Sequence, residues 1–416
     1  MKEIVFYFQV HQPFRLRRYS LFDIGNHGRY FDDAENARIL RRIAERCYLP
    51  MNALIGRLIQ RHEGEFRCAY SISGAALEQF ELWTPEVLES FRELAATGCV
   101  EFLCETSMHS LSGLFDEQEF VTQVEEQRER ITRLFGAEPV TFRNTELVID
   151  ERVAALVEEL GFRVLLGEGA DHLLGTRSPH PVYRPRGTRE LRLLLRDYKL
   201  SDDIAFRFSN RTWHEYPLTA DRFARWAAAA QGPGRCIGLF MDYETFGEHQ
   251  WADTGIFQFM EHLPREILAH PQLSFATPAD FAFDPFEGGE LAIPRPTSWA
   301  DAERDLSAWQ GNAMQKAASE AFWSSREKVL RAAESDPELL SAWRRLSTSD
   351  HFYYMCTKYF SDGDVHKYFS PYPTPHDAFL CFMNVLDDLS RRAEAAMTSS
   401  VSSPIAPSLI APRKAR

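Results

Sequence analysis

Short apolar strand patterns alternate with amphipathic helical ones over residues 1–290, and a purely helical pattern follows over 291–398. Together they predict an α/β chain: a barrel-like domain, then a helical domain. The strand-like runs are continuously apolar, as strands covered on both faces are. Helical stretches separate them, as the crossovers between parallel strands require.

In chain order, residues 3–10 (EIVFYFQV) read as the first strand. Residues 35–59 carry helical spacing through Ile39, Ile43 and Cys47, are interrupted by Pro50, and resume through Leu54 and Leu58. A strand is expected over 66–72, then a helix over 84–96 opened by a Thr84 cap with Pro85 at its first position. Strand-like 100–103 precedes a helix over 118–135 that Gly136 stops. A short strand over 140–142 feeds Arg143-Asn144-Thr145-Glu146. Asp150 then caps a helix to Leu160, and a strand spans 162–165. Beyond residue 170 the rhythm loosens. Segments 188–200 and 204–208 read as strands, 220–230 as a helix, and 236–241 as a strand ending at Asp242. A helix over 254–268 and a strand at 274–276 complete the first domain. Helices are expected over 301–332, 336–347 and 385–397, around an aromatic- and histidine-rich stretch at 350–375. The Ser/Pro/Ala-rich end, 399–416, reads as a disordered tail.

The 416 residues include 47 Lys and Arg against 60 Asp and Glu, a net charge of −13. That balance disfavours a nucleic-acid backbone binder, which needs a basic face. With 44% apolar residues at this length, the chain can bury a core without staples or a structural metal. Its seven cysteines form no CxxC pair and read as buried free thiols in a reducing compartment. The N-terminal apolar run is short and lacks a cleavage signature, and no run approaches the ~20 residues of a membrane span. A cytoplasmic protein without a membrane partner is expected. Gly25-Asn26-His27-Gly28 lacks the strand–GxGxxG–helix context of a coenzyme site, so no cofactor is expected. The oligomeric state stays open.

Four segments share a format, a short apolar strand that ends in a polar cluster: Val5–Pro13, Val100–His109, Val140–Glu146 and Ile237–His249. In parallel α/β architectures ligands meet the C-terminal ends of strands, where the connecting loops converge. This gathers His11, Glu105, His109, Glu146, Asp242, Glu244 and His249 near one mouth. Carboxylates dominate the set. Paired carboxylates perform glycoside hydrolysis, one attacking or activating water while the other protonates the leaving oxygen. The rival is a hydrolytic metal site built from His11, His109 and Asp242 or His249. Separations along the chain leave both open.

His11-Gln12-Pro13, the segment Glu101–Glu105 with His109, Phe142-Arg143-Asn144-Thr145-Glu146 and the nine residues Met241–His249 resemble successive signature regions of glycoside hydrolase family 57. Ser298-Trp299 through Asp305, Trp309, Asn312 and Gln315 resembles a fifth. FRNTEL and MDYETFGEH are most similar to the family's α-amylase branch; other branches hold 4-α-glucanotransferases and branching enzymes. The resemblance implies an incomplete (β/α)7 barrel followed by a helical bundle, and a retaining mechanism on α-1,4-linked glucans or maltooligosaccharides. By motif position Glu146 would be the nucleophile and Asp242 the general acid/base, with their carboxyl groups ~5–5.5 Å apart. The same pair would serve a glucanotransferase or branching enzyme. A metal-dependent carbohydrate deacetylase and a non-catalytic glucan binder are the readings from other classes.

Around the pair, His11, Gln12, Glu105, His109, Arg143, Glu244 and His249 are candidates for binding sugar hydroxyls or orienting the carboxylates. Trp299 is expected to line the cleft and stack on a sugar, and Asp305 to reach in from the same helical face as Trp309. Asp350 and His351, with Tyr353 and Tyr354, are cleft candidates from the helical domain. Trp83 and Trp213 are candidates for holding more distant glucose units.

Overall fold

In a computed structural model, residues 1–230, 232–358 and 370–401 are described, with side chains as far as 398. Among these residues the strands are β1 (Lys2–Val10), β2 (Cys68–Ile72), β3 (Val100–Leu103), β4 (Thr141–Phe142), β5 (Val164–Glu168), β6 (Arg184–Pro185), β7 (Arg192–Arg196), β8 (Cys236–Asp242), β9 (Leu273–Phe275) and β10 (Glu290–Leu291). Seven of them form a parallel ring in the order β3-β2-β1-β8-β7-β5-β4. The ring closes between β3 and β4 just beyond the end of β3, where Cys104 N–H donates to Thr141 O at 3.0 Å and Arg143 N–H to Cys104 O at 2.9 Å. β9 pairs only with Lys2–Ile4, below the stretch of β1 that pairs with β2. β6 and β10 make a separate two-stranded ribbon. This is the seven-stranded barrel the sequence leads one to expect.

The period of two along β1 explains its uninterrupted apolar run. Ile4, Phe6, Phe8 and Val10 face the surrounding helices, while Val5 and Tyr7 point into the barrel against Ala69, Leu103, Val164, Leu194 and Phe240. Register then sets the height of the site. Gln9 lies opposite both Ser71 of β2 and Asp242 of β8, so three strand ends deliver polar side chains at one level.

The C-terminal helices Ala313–Ser324, Arg326–Ala333, Pro337–Leu346 and Pro375–Val401 pack around Trp309, Phe322, Trp343, Phe352 and Phe382. Leu16, Tyr19, Tyr30, Leu111 and Val148 join this core from the loops after β1, β3 and β4. The helices are thereby welded over part of the barrel mouth. Ser349 N–H donates to His109 O at 3.0 Å, and Thr297 forms a bridge with Ile149.

Several local expectations are corrected. Helix Gly74–Trp83, capped by Ser73, precedes Pro85–Ala96, and the Thr84 side chain caps nothing. Pro50 does not separate two helices. A π-turn at Ala44–Tyr48 joins Asp33–Ile43 to Leu49–Arg61, and Pro50 sits in the first turn of the latter, where its missing N–H is least costly. Residues 204–208 are not a strand. Asp197 accepts from Leu200 N–H and nucleates helix Tyr198–Ala205, which buries Ile204. The stretch 301–332 is broken into Ser307–Gln310, Ala313–Ser324 and Arg326–Ala333, with Asn312 and Gln315 closing a capping box at the second start. The last helix begins at Pro375, ten residues before the expected start. Part of the aromatic-rich stretch 350–375, and the expected tail beyond residue 401, lie outside the described residues. Cys47, Cys68, Cys99, Cys104, Cys236 and Cys381 are free thiols. Among the described residues, no helix is long and apolar enough to cross a membrane.

Candidate active site

Glu146 sits in a single tight turn, Thr145–Leu147, at φ 56° and ψ 26°. Left-handed backbone at a non-glycine residue costs of order 1–3 kcal/mol and persists only where the surroundings over-determine it. Here they do. Asn144 Nδ2 donates to Val148 O at 2.6 Å, the Thr106 and Thr145 hydroxyls meet at 2.9 Å, and Trp299 N–H reaches Glu146 O at 3.3 Å. The turn aims the carboxylate into the mouth, where its side chain is 23% exposed.

Both carboxylate oxygens are held. Oε1 lies 3.3 Å from His109 Nε2, and Oε2 accepts from Trp299 Nε1 at 2.7 Å. The other ring nitrogen of His109 lies 2.6 Å from Glu105 Oε2, and Glu105 Oε1 accepts from Gln9 Nε2 at 3.0 Å. A ring whose two nitrogens both face carboxylates donates from both, so His109 is an imidazolium. Burial works against that charge, but Glu105 and then Glu146 outweigh it and raise the His109 pKa to about 9. Burial likewise pushes the Glu146 carboxyl up. The His109 bond and charge, with Arg143 and Trp299, more than reverse it and hold Glu146 below its ordinary value.

Asp242, at the end of β8, moves the other way. Burial first, then the negative charge of Glu146, raise it to about 6 against the pull of Arg143, His109 and Arg196. Arg143 is fully buried, and its guanidinium nitrogens have no hydrogen-bond partner among the described residues. It lies 4.7 Å over the Trp299 ring and 6.0 Å from that of Tyr7. Its contribution is positive charge rather than a directed bond.

His11 stacks on His109, centroids 4.0 Å apart and planes at 18°. Its Nε2 lies 2.9 Å from Asp350 Oδ2 and its Nδ1 2.7 Å from Ser73 Oγ. Burial and the adjacent His109 charge lower the His11 pKa, so the ring is neutral. An ionised Asp350 only accepts, so Nε2 carries the proton and Nδ1 receives the Ser73 hydroxyl. Burial of Asp350 is likewise overcome by His11 and His109, which hold its carboxyl low. Beside the Ser349 bond to His109, the C-terminal helical region thus reaches the barrel site through a side-chain contact spanning 339 positions of chain.

Other candidates are placed less directly. Glu105 is fully buried with both oxygens engaged, so it orients His109 and is no direct sugar contact. Glu244 follows Asp242 in a 3-10 turn, where the Tyr48 hydroxyl and Gln12 Nε2 donate to it. Burial, then the Asp242 charge, lift it to about 8. Gln12 is itself held, its Oε1 accepting from Arg15 at 3.2 Å. His249 is tied to Glu244 through its backbone N–H at 2.9 Å, and burial lowers its ring to about 4.

Two expectations fail on geometry, and a third residue is held in a way the sequence did not indicate. Asp305 precedes helix Ser307–Gln310 instead of sharing its face with Trp309, and it is exposed, accepting from Ser307 N–H at 2.8 Å. His351 is buried against Tyr354 and Phe382 in the helical core. Trp299, which stays partly exposed, donates its indole N–H to Glu146 Oε2 and has the Arg143 guanidinium against its ring, so it seats the carboxylate from the cleft wall.

Reading the sequence missed Tyr48, Gln9 and Ser73. Gln9 carried a signal, a polar residue inside a buried apolar strand. Tyr48 carried none, because a helical tyrosine reads as core until the π-turn is known. A further buried group, Glu168 with Arg196 at 3.3 Å and Arg304 at 2.9 Å, flanks the same mouth, with Arg196 5.8 Å from the Trp299 ring.

A barrel whose strand ends bring a carboxylate held low beside one held high belongs to the class of acid–base barrel enzymes, glycosidases among them. The chain belongs to glycosyl hydrolase family 57, whose model matches residues 5–294. A protein of Methanocaldococcus jannaschii named "Putative alpha-amylase" is 40% identical over 400 residues, covering 92% of this chain and 83% of that one. The fold is shared with a GH57-type branching enzyme from Pyrococcus horikoshii (TM-score 0.66, 13% identity, 94% of each chain). A 4-alpha-glucanotransferase from Thermococcus litoralis shares it as well (TM-score 0.61, 15% identity), this chain being covered over 84% and that one over 56%.

Proposed function

We propose that the chain is a retaining hydrolase of α-1,4-glucans, with Glu146 as nucleophile and Asp242 as general acid/base. The observation that carries this reading is the opposite displacement of two neighbouring carboxyls, Glu146 below its ordinary value and Asp242 up to about 6. Ionised Glu146 attacks the anomeric carbon while Asp242 protonates the departing glycosidic oxygen. A β-glycosyl ester forms on Glu146, and its charge disappears. Since that charge is one of the two causes raising Asp242, the Asp242 pKa falls, and the residue is left as the base that deprotonates the incoming water. Attack by that water restores the α configuration and frees Glu146.

Its relatedness to the Methanocaldococcus protein favours hydrolysis over transfer. The deacetylase reading finds less support, since the ring nitrogens of His11 and His109 are all engaged with Ser73, Asp350, Glu105 and Glu146. Barrel residues 1–290 carry the pair, and the helical region from 291 on completes the cleft with Trp299 and Asp350. The test is product analysis on maltoheptaose and soluble starch with wild type and Glu146→Ala. Shorter oligosaccharides with new α-configured reducing ends, lost in the variant, are expected. Redistributed chain lengths at constant reducing ends would reassign the site to transfer.

A further inference from the structure

On the mouth side of the barrel, separate from the carboxylate pair, lies a cavity of about 270 Å³. Its walls come from the segment after β7, through Phe208 and Tyr216–Ala220, and from the segment after β8, through Thr254 to His262. Both segments follow the C-terminal ends of strands, the end that carries Asp242. Gln250 Nε2 ties them together by donating to Ala205 O at 2.9 Å. The floor is aromatic: Phe208 and Phe259 meet edge-on, centroids 5.2 Å apart. Tyr216, 40% exposed, stands at the wall, with Thr254, Gln258 and His262 around it.

The composition of the lining selects its ligand. The chain is 26% charged, yet among the described residues the cavity lining has no Asp, Glu, Lys or Arg. That disfavours phosphates, nucleotides, cations and charged peptides, whose sites are usually built with a side chain of opposite charge. What remains is a neutral ligand with an apolar face for the exposed Tyr216 ring and hydroxyls for the Thr, Gln and His side chains. The volume falls just below the range of roughly 300–1,000 Å³ for small-molecule sites, which suits a short run of pyranose rings.

We infer that this cavity holds glucosyl units of the same α-glucan at a distance from the reacting bond. The inference rests on the functional reading above. Its use is effective concentration: a polymer held here stays beside the cleft between turnovers, whereas a short oligosaccharide gains nothing.

The test pairs Tyr216→Ala with His262→Ala, both exposed and outside the proposed catalytic set. Affinity electrophoresis through amylopectin is run in a Glu146→Gln background so that the polymer survives. In an otherwise wild-type background, turnover of maltotriose and thermal unfolding are followed. Expected are a fivefold to tenfold weaker retention, the scale of a lost aromatic contact, maltotriose turnover within about twofold, and an unchanged melting temperature. Unchanged retention overturns the cavity's role. An equal fall in maltotriose turnover also overturns it, because the residues would then serve the cleft itself. A wild type that leaves maltoheptaose and starch untouched overturns the glucan reading, and that failure is visible independently of the gel.

Discussion

His109 and Glu146 lie 3.3 Å apart, ring nitrogen to carboxylate oxygen, and both residues take left-handed backbone, at φ 52° and φ 56°. Two strained residues facing each other mark where local comfort yields to positioning. The His109 ring is pinned between Glu105 and Glu146, so its charge is fixed where Glu146 needs it. His109→Gln keeps a donor but removes the cation. Expected are a fall in kcat of about 10²–10³-fold, the scale of losing one preorganised electrostatic contact, and an acid limb of the pH–rate profile shifted upward. Steady-state kinetics on maltoheptaose across pH would check both. An unshifted limb would sink the assignment.

The opposed carboxyls also set the bell for the wild type. Activity needs Glu146 ionised and Asp242 protonated. kcat/KM should therefore rise with pH through a value below 4.5, the ordinary value from which Glu146 is lowered, and fall as pH passes about 6, where Asp242 loses its proton. In Asp242→Asn the residual activity should lose its alkaline limb while keeping the acid one. A limb that persists near pH 6 in that variant would assign it to another group.

How far the sequence alone carries depends on whether a contact is local to a strand end. The positions of Glu146 and Asp242 at strand ends were readable because each follows a short apolar run with the pattern of a buried parallel strand, and such strands end on one face. The ring itself was readable from the same runs. Asp350 was placed near the cleft, but its partner was not, because the bond to His11 depends on how the C-terminal helices settle over loops far away in the chain. Asp305 was misjudged by assuming an unbroken helix, and the capping box at Asn312 and Gln315 is what restarts it. Tyr48 was invisible, because a π-turn shifts the phase of side chains that a regular helix would send elsewhere. Trp299 was expected at the cleft, but the job its N–H does in holding Glu146, with Arg143 against its ring, was not foreseen.

That job is testable by conservative replacement. Trp299→Phe keeps an aromatic ring against Arg143 but deletes the 2.7 Å donor to Glu146. A hydrogen bond to a charged group is worth about 1.5–3 kcal/mol, so kcat/KM on maltoheptaose should drop by roughly tenfold to a hundredfold, and the acid limb should rise. If Trp299 acted by stacking on sugar, Trp299→Phe would instead raise KM with kcat and the acid limb nearly unchanged.

Stability should follow the same charges with a defined sign. The His109 pKa is raised from 6.5 to about 9 in the folded chain, so its contribution is complete below pH 6.5 and is lost as pH rises through about 9. Glu244 acts in the same direction over a lower window. Its folded value of about 8 against 4.5 means stability is given up as pH rises from 4.5 to about 8. Wild-type melting temperature should therefore decline across the neutral to mildly alkaline range. Comparison with His109→Asn isolates the histidine, since Glu244 remains in both chains. The variant leaves Glu105 buried without its cation, so it melts lower, and the gap should be widest below pH 6.5 and close through about 9. Melting curves between pH 5.5 and 9.5 would show it, and a gap that stays constant would mean that His109 is neutral in the folded chain.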